Sequence, residues 1–593
     1  MKKKLISSIS AFFLCCSTLF GAVACTTTGT GSSEKESESV ATSESTSEVP
    51  KGMITASPLS LAELGEGFDA RYLPDTKQIR ALTGKIDVCL DFEGTQAGWQ
   101  ALADEYERLQ GGGVQVNVNT TYAGSVYTDK LNTELTATST DWDIVEGNLG
   151  YGNTRNKCID MYQSVANNNA YCGENVKWSS VLKPEAYRTK EADNSGTSYI
   201  MNTEIMQTCW FINDVAFQAA VDKGYLNADG LAEYPITWDD LINLCFKMEE
   251  ADYTNPLGIT LCSASIESLQ FTWLLRVYGD YYYRQFYKYI MSGEAGTEWE
   301  NYDPTEEVPE NLAGYGLQYA KILALLFDKD CSFGPGYVGF ESGLYRDFVG
   351  NLAKMKGHLI KDVDKTEFQA LRDKFETQSG GKSAPQIMLD YQGFGINYEK
   401  SSAEDFELGY FDYPTMVSEY VPEETITRDI GGNGGFLSVV NHLGNAAQND
   451  LNKDFVKFVL SPYGQTVYYK GLAAAGKVPK GLSTVKNELV VIPSEWIDFF
   501  DRSNQVITFS GDVDANNFLS WGVRYTCGYT EGQAIICDNW RGLLMTGLSA
   551  DQQLTPAAFC AYWAQAVETD AHSMTVDYGW AEEVWENPNY KLG

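Results

Sequence analysis

The sequence predicts an α/β fold built on an open, mostly parallel sheet. Two patterns carry this. Apolar residues alternate at Ile86, Val88 and Leu90, and again at Val114, Val116 and Val118, the period of half-buried strands. Between them Trp99, Leu102, Tyr106 and Leu109 recur at helical spacing, and Gly111, Gly112 and Gly113 stop that helix. Strand, helix and strand in this order make a β-α-β unit.

The remaining elements follow along the chain. A helix is expected around Tyr127 to Leu135, then a short strand from Trp142 to Val145. Open sheets of this kind take ligands beyond the carboxyl ends of their strands. Here those ends are Asp91 to Thr95 and Glu146 to Asn148. Thr237 reads as the N-cap of a helix whose first turn holds Asp239 and Asp240, favoured by the helix dipole, with Leu241, Leu244, Cys245 and Met248 on its apolar face. An aromatic helix is expected from about Ser265 to Tyr289, and an acidic loop from Gly293 to Pro309. Asp450 to Gly464 reads as one amphipathic helix ending at Ser461 and Pro462, with Phe455, Phe458 and Val459 inward. A last helix starts at Pro556 and carries Phe559 and Trp563. No internal repeat is visible.

Composition limits the function. The 593 residues carry a formal net charge of −36, from 44 Lys and Arg against 80 Asp and Glu, and no basic run follows the first four residues. Nucleic-acid binding needs clustered cations, so it is disfavoured. The three histidines, His358, His442 and His572, are far apart in sequence, which weakens His-based metal or catalytic schemes. The 27 Phe, 13 Trp and 36 Tyr residues suit a large core, or a surface for flat, partly polar ligands such as sugars. No cysteine pair has CxxC spacing, so zinc-ribbon and redox motifs are not indicated, and Cys89 and Cys245 fall in apolar patterns that read as buried thiols. No cofactor motif is found: Gly431 to Gly435 lacks the Gly-Lys-Ser/Thr ending of a phosphate loop.

The N-terminus reads as an export signal over residues 1–24. Lys2, Lys3 and Lys4 precede an apolar stretch from Leu5 to Val23, and small residues lead to Cys25. This arrangement resembles a bacterial lipoprotein cleavage site, departing from it at Ala22, and implies lipidation of Cys25; plain secretion and an uncleaved helix are the alternatives. Of the 25 residues from Thr26 to Pro50, 13 are Ser or Thr. Such a segment buries too little apolar surface to fold and reads as a tether, with a contour of about 80 Å.

Several segments in order resemble the extracellular solute-binding proteins of ABC importers, carbohydrate type (family 1). They are TDWDIVEGN (Thr140 to Asn148), SYIMNTEIMQTCWFINDVAF (Ser198 to Phe217), YPITWDDLINLC (Tyr234 to Cys245), FETQSGGKSAPQIMLDYQGFG (Phe375 to Gly395), GGNGGFLSVVN (Gly431 to Asn441) and KDFVKFVLSPYGQ (Lys453 to Gln465). The departure is at Ile212, where the family has Tyr. The resemblance spans roughly Lys85 to Val567, with extra length between Tyr278 and Lys374. It implies a two-lobed, periplasmic-binding-protein-like (type II) α/β fold with discontinuous lobes and a ligand cleft between them. Lobe one is expected to hold residues 80–204 and 438–490, and lobe two residues 205–437 and 491–593. Chain crossings are expected near Tyr199 to Thr208, Gly431 to Val440 and Lys486 to Trp496.

The implied function is a monomeric receptor, lipid-anchored on the outer face of the bacterial cytoplasmic membrane. It would capture an oligosaccharide and deliver it to ABC permease subunits, without catalysis, cofactor or metal. Sugar sites combine aromatic faces with planar polar groups, and charge-assisted hydrogen bonds are the stronger ones. The candidates are Asp91 and Glu93 after the first strand, Glu146 and Asn148 after the third, and Trp210 at the crossing. Trp273, Tyr391 and Phe394, Asn433 in the glycine run, and Trp540 complete the set. Each has a plainer reading, as a solvated loop residue or a core aromatic, and core packing is the stronger reading for Trp273. A secreted glycan-degrading enzyme with two carboxylates, a surface glycan adhesin and a peptide receptor are the alternatives. Which sugar, linkage and chain length are bound stays open.

Overall fold

The computed structural model describes residues 52–91, 95–122, 124–137, 139–146, 157–183, 186–187, 198–261, 269–286, 326, 336–399, 406–494, 496–497, 506–507, 540–545 and 553–565. The leader, Cys25, the tether and the acidic segment from Gly293 to Pro309 lie outside these residues.

Alternation of apolar residues becomes pairing. Strand β1 (Gly84–Cys89) lies parallel to both β2 (Val114–Asn119) and β3 (Ile144–Glu146). Strand β4 (Met201–Asn213) is long enough to serve two sheet halves. Its first half pairs antiparallel with β8 (Asp429–Val439), whose far end in turn pairs with β3. Its second half pairs with β6 (Ile387–Tyr391) on one side and β7 (Leu408–Phe411) on the other. Strand β5 (Leu257–Gly258) lies parallel to β6. The order is β2-β1-β3-β8-β4-β6-β5; β9 (Leu482–Ser483) also pairs with β4, and β10 (Val506–Ile507) with β8. The chain therefore forms two α/β lobes, with β4 and β8 running side by side between them.

In lobe one, helix α1 (Gln96–Leu109) bridges β1 and β2, as the β-α-β reading requires, and buries Trp99, Leu102, Tyr106 and Leu109. Helix α2 (Gly124–Thr136) leads to β3. In lobe two, α3 (Asp214–Asp222) follows β4 directly. Helix α4 (Trp238–Glu250) begins at Thr237, whose hydroxyl accepts from the Asp240 N–H while the Asp240 carboxylate accepts from the Thr237 N–H, a capping box. The aromatic helix α5 (Leu269–Tyr283) runs into a single 3-10 turn, Arg284–Phe286; the expected ends, 265–268 and 287–289, lie outside the described residues. Helices α6 (Gly343–Ala353), α7 (Phe368–Thr377) and α8 (Gln392–Glu399) complete the described part of lobe two, with residues 540–544 and 556–565 helical beside them.

One expectation changes. The helix expected from Asp450 to Gly464 is two helices, α9 (Ala446–Val459) and α10 (Pro462–Ala474). Ser461 ends the first and caps the second, its hydroxyl accepting from the Gly464 N–H, and Pro462 takes the first helical position, where its missing N–H costs nothing. Helix α10 then packs along α1. The approach needs glycine: a Cβ on Gly471 would sit 2.5 Å from the Ala101 Cβ, and one on Gly98 2.5 Å from the Tyr468 ring.

One continuous apolar core runs through both sheet halves, and a smaller cluster of Cys89, Tyr127, Leu131, Leu135, Trp142, Val145, Cys158 and Val440 lies beside β1 and β3. Cys89 and Cys245 are buried, as expected, and so are Cys158, Cys172, Cys209 and Cys560. Burial pushes the Cys89 thiol up to about 12. The segment from Lys486 to Trp496, expected as the third crossing, packs on lobe one: the Val491 N–H donates to the Thr466 hydroxyl (3.1 Å), and Trp496 meets the Tyr469 ring edge-on. The next described residues, Val506 and Ile507, pair with Asp429 and Ile430.

Candidate functional site

The strand directions locate the site. Strands β1 and β3 end at Cys89 and Glu146, and Glu146 pairs with Leu437, which also pairs with Met201. On the other lobe β6 ends at Tyr391, opposite Thr208. Carboxyl ends from both lobes thus point at one stretch of β4, Met201 to Thr208, about 20 Å apart along the strand. This is where an open α/β sheet presents ligand-binding loops.

On the lobe-one side Glu146 is held by two donors. Its Oε2 accepts from the Asp91 N–H (3.1 Å) and its Oε1 meets the Lys480 ammonium at 3.3 Å. These contacts tie the ends of β1 and β3 together and leave Glu146 and Asp91 half-buried at those ends. Glu93 and Asn148 lie outside the described residues. Asn433 is in β8, its backbone opposite Ile205 in the crossing.

On the lobe-two side Tyr391 is half-buried, its ring edge-on to Trp273 with centroids 4.9 Å apart. Next to it the Gln392 side-chain amide donates to the Gln207 side-chain oxygen in the crossing strand (3.1 Å). Asp390 is fully buried; Arg372 donates to both of its oxygens, and the Tyr391 N–H donates to one of them. The guanidinium lies over the Phe368 and Phe394 rings, 4.7 and 5.4 Å from their centroids.

Four of the aromatic candidates are placed in the core instead. Trp210 is fully buried, parallel to Phe411 with centroids 6.2 Å apart. Its side chain points to the face of β4 covered by Tyr413, because alternation sends Trp210 and Phe211 to opposite faces. Trp273 is buried between Phe368 and Tyr391. Phe394 is buried between Phe211 and Phe375. Trp540 is buried between Phe271 and Phe559.

Sequence reasoning missed Glu204, Gln207, Tyr468 and Lys480, which cluster at the crossing. Glu204 had a readable signal: a carboxylate inside the otherwise apolar or neutral run Met201–Asn213. Lys480 had none, because its role depends on where the loop after α10 returns. Of the histidines, His358 contacts Glu249 at 2.9 Å and His442 contacts Asp143 at 2.8 Å, each away from the crossing.

The profile of the family described as Bacterial extracellular solute-binding protein matches residues 91–466, more than half of the chain. The chain belongs to this family. No curated protein matches its sequence. Among solved structures this solute-binding protein is similar to a family 1 extracellular solute-binding protein from Bifidobacterium longum subsp. infantis, with 14% identity, 82% of this chain and 100% of that chain covered, and a TM-score of 0.46. It is similar to the GacH receptor of Streptomyces glaucescens GLA.O, solved unliganded and with acarbose, with 15% identity, 82% and 98% covered, and a TM-score of 0.48. It is also similar to a binding protein of an ABC transporter from Bifidobacterium animalis subsp. lactis ATCC27673, solved with mannobiose, with 13% identity, 88% and 100% covered, and a TM-score of 0.45. These overlaps are loose; the assignment of this solute-binding protein stands on the family match.

Proposed function

We propose that this solute-binding protein is the extracellular receptor of an ABC importer, that it captures an oligosaccharide between its lobes, and that it delivers it to permease subunits in the membrane. The observation that carries this reading is the convergence of Glu146 and Asp91 from one lobe and Tyr391 from the other on the β4 crossing. Carboxylates and amides at one end of this stretch with an aromatic ring at the other suit successive rings of an oligosaccharide, polar at the rim and apolar on the face. Asp91, Glu93, Glu146, Asn148, Tyr391 and Asn433 are the contacts we assign. Trp210, Trp273, Phe394 and Trp540 back them from the core. Closure of the lobes about β4 and β8 is the motion expected of this layout.

Cys25 is assigned as the lipid attachment site and residues 26–50 as a tether, which place the receptor at the outer face of the cytoplasmic membrane. It acts there as a monomer and without catalysis. A two-chain anchor holds firmly where a single chain does not, and tethering raises the receptor's concentration near the permease. Residues 80–204 with 438–497 are assigned to lobe one, carried past the expected end at Val490 because Val491 and Trp496 pack there, and 205–437 with 506–593 to lobe two.

The test is a thermal-shift screen of the chain from Lys51 onward against oligosaccharides, with peptides and amino acids as controls. A ligand at 100 times its Kd stabilises by about 2.7 kcal/mol, an easily read shift. A shift with one glycan class, without release of shorter products, supports the reading. Product release would make it an enzyme, and a shift with peptides alone would discard the sugar.

A further inference from the structure

Glu204 occupies the point where β4, β8 and β9 meet. It pairs with Gly435 on one side and Ser483 on the other, and the β4–β8 register slips both before and after it. A bulge of this kind re-aims a side chain. Here it turns a carboxylate inward, 3% exposed, onto the Tyr468 hydroxyl, which donates to its Oε1 at 2.7 Å. Glu204, Glu146, Lys480, Tyr468, Thr203 and Thr95 line one small cavity of about 10 Å³, space for about one water. One lysine therefore serves two carboxylates: its ammonium meets Glu146, while its backbone N–H donates to Glu204 and its charge draws that carboxylate as well.

We infer that Lys480 is the positioning residue of Glu146, and that Glu204 competes with Glu146 for the Lys480 ammonium. This rests on the assignment of Glu146 as a ligand contact. The ionisable groups facing Glu204 are Tyr468 and Tyr469 from α10, Lys480 from the following loop and Glu146 from β3. Burial above all raises the Glu204 carboxyl, to about 7; Tyr468 and Lys480 pull it down and Glu146 pushes it up. Below that pH Glu204 is neutral and Lys480 serves Glu146, which is fixed for the ligand. Above it Glu204 is ionised, Lys480 is shared, and Glu146 is held less firmly. Ligand affinity falls as pH rises through neutrality.

The test compares the full-length protein with E204Q, K480M and K480R, using maltotetraose, xylotetraose and mannotetraose as probes at pH 6 and pH 8. For a probe that binds, the wild type loses about tenfold in affinity between these values, the size of one charged hydrogen bond. E204Q keeps the pH 6 affinity at pH 8, K480M is weak at both, and K480R follows the wild type. An E204Q profile like that of the wild type, or full affinity in K480M at pH 6, overturns the inference. If none of the three probes binds, the oligosaccharide reading is the one in difficulty, and unfolding decides this one. Wild-type stability falls from pH 5 to pH 8 as Glu204 ionises, E204Q lacks that fall, and K480M carries it to higher pH. Parallel curves for all three overturn it.

Discussion

Arg372 holds Asp390 with two parallel hydrogen bonds, Nε to Oδ2 at 2.8 Å and Nη2 to Oδ1 at 2.7 Å, and the same Oδ1 accepts the N–H of Tyr391 at 2.7 Å. An ion pair with its carboxylate fully buried thus fixes the backbone of the residue that ends β6. Removing one partner of such a pair leaves an uncompensated buried charge. Arg372→Met is expected to cost about 3–5 kcal/mol in urea unfolding. An unchanged midpoint would show that Asp390 finds another partner.

Tyr391 and Trp273 touch but have different jobs. Tyr391→Ala is expected to weaken ligand binding at least tenfold, with a small change in stability, since its ring is half-buried. Trp273 is 2% exposed, and Trp273→Ala is expected to cost about 3–5 kcal/mol. Calorimetric titration and denaturant unfolding of both variants separate the two. Equal stability losses would return Tyr391 to the core.

The crossing depends on a glycine. A Cβ on Gly481 would run into the carbonyl of Ile205 in β4. Gly481→Ala is expected to destabilise by about 1–3 kcal/mol, the usual cost of overpacking. Gly350, inside α6, has no atom near its would-be Cβ. Gly350→Ala is expected to stabilise by about 0.4–1 kcal/mol through the unfolded chain. Chemical unfolding of the pair tests whether the crossing or glycine content in general matters.

A second, half-buried carboxylate makes stability depend on pH. The Tyr106 and Tyr171 hydroxyls both donate to Asp454 Oδ2, at 2.8 and 2.7 Å. Burial outweighs them and raises the Asp454 carboxyl above its ordinary value. A raised folded-state value means that the contribution is complete below the unfolded value of about 3.9 and is lost as pH rises through the folded one. Asp454→Asn is expected to flatten the loss of stability above pH 4, measured by urea midpoints across the acidic range. A variant with the wild-type slope would show that Asp454 keeps its ordinary titration.

Much of lobe one is legible in the chain. The alternation at Ile86 to Leu90, the helical spacing from Trp99 to Leu109 and the glycine stop are local signals, and β1, α1 and β2 follow them closely. Thr237 announces its helix because a cap is set by neighbours three residues away. The break at Ser461 and Pro462 was visible as an end but not as a beginning, since the same two residues serve both.

The site is another matter. Asp91, Glu146 and Tyr391 are readable as strand-end residues, because strand ends come from local pattern. Trp210 and Phe394 are not separable from cleft aromatics by type, since only the packing partner on each face tells a core ring from a binding one.

By itself the sequence determined the α/β class, the first three strands with the helices between them and the family to which the chain belongs, because periodicity, caps and glycine stops act over a few residues. Only the tertiary structure decided that β4 serves both lobes, that Lys480 meets both Glu146 and Glu204, and which tryptophans are buried. Those facts join residues far apart along the chain, and burial and charge are set by what folds against a residue.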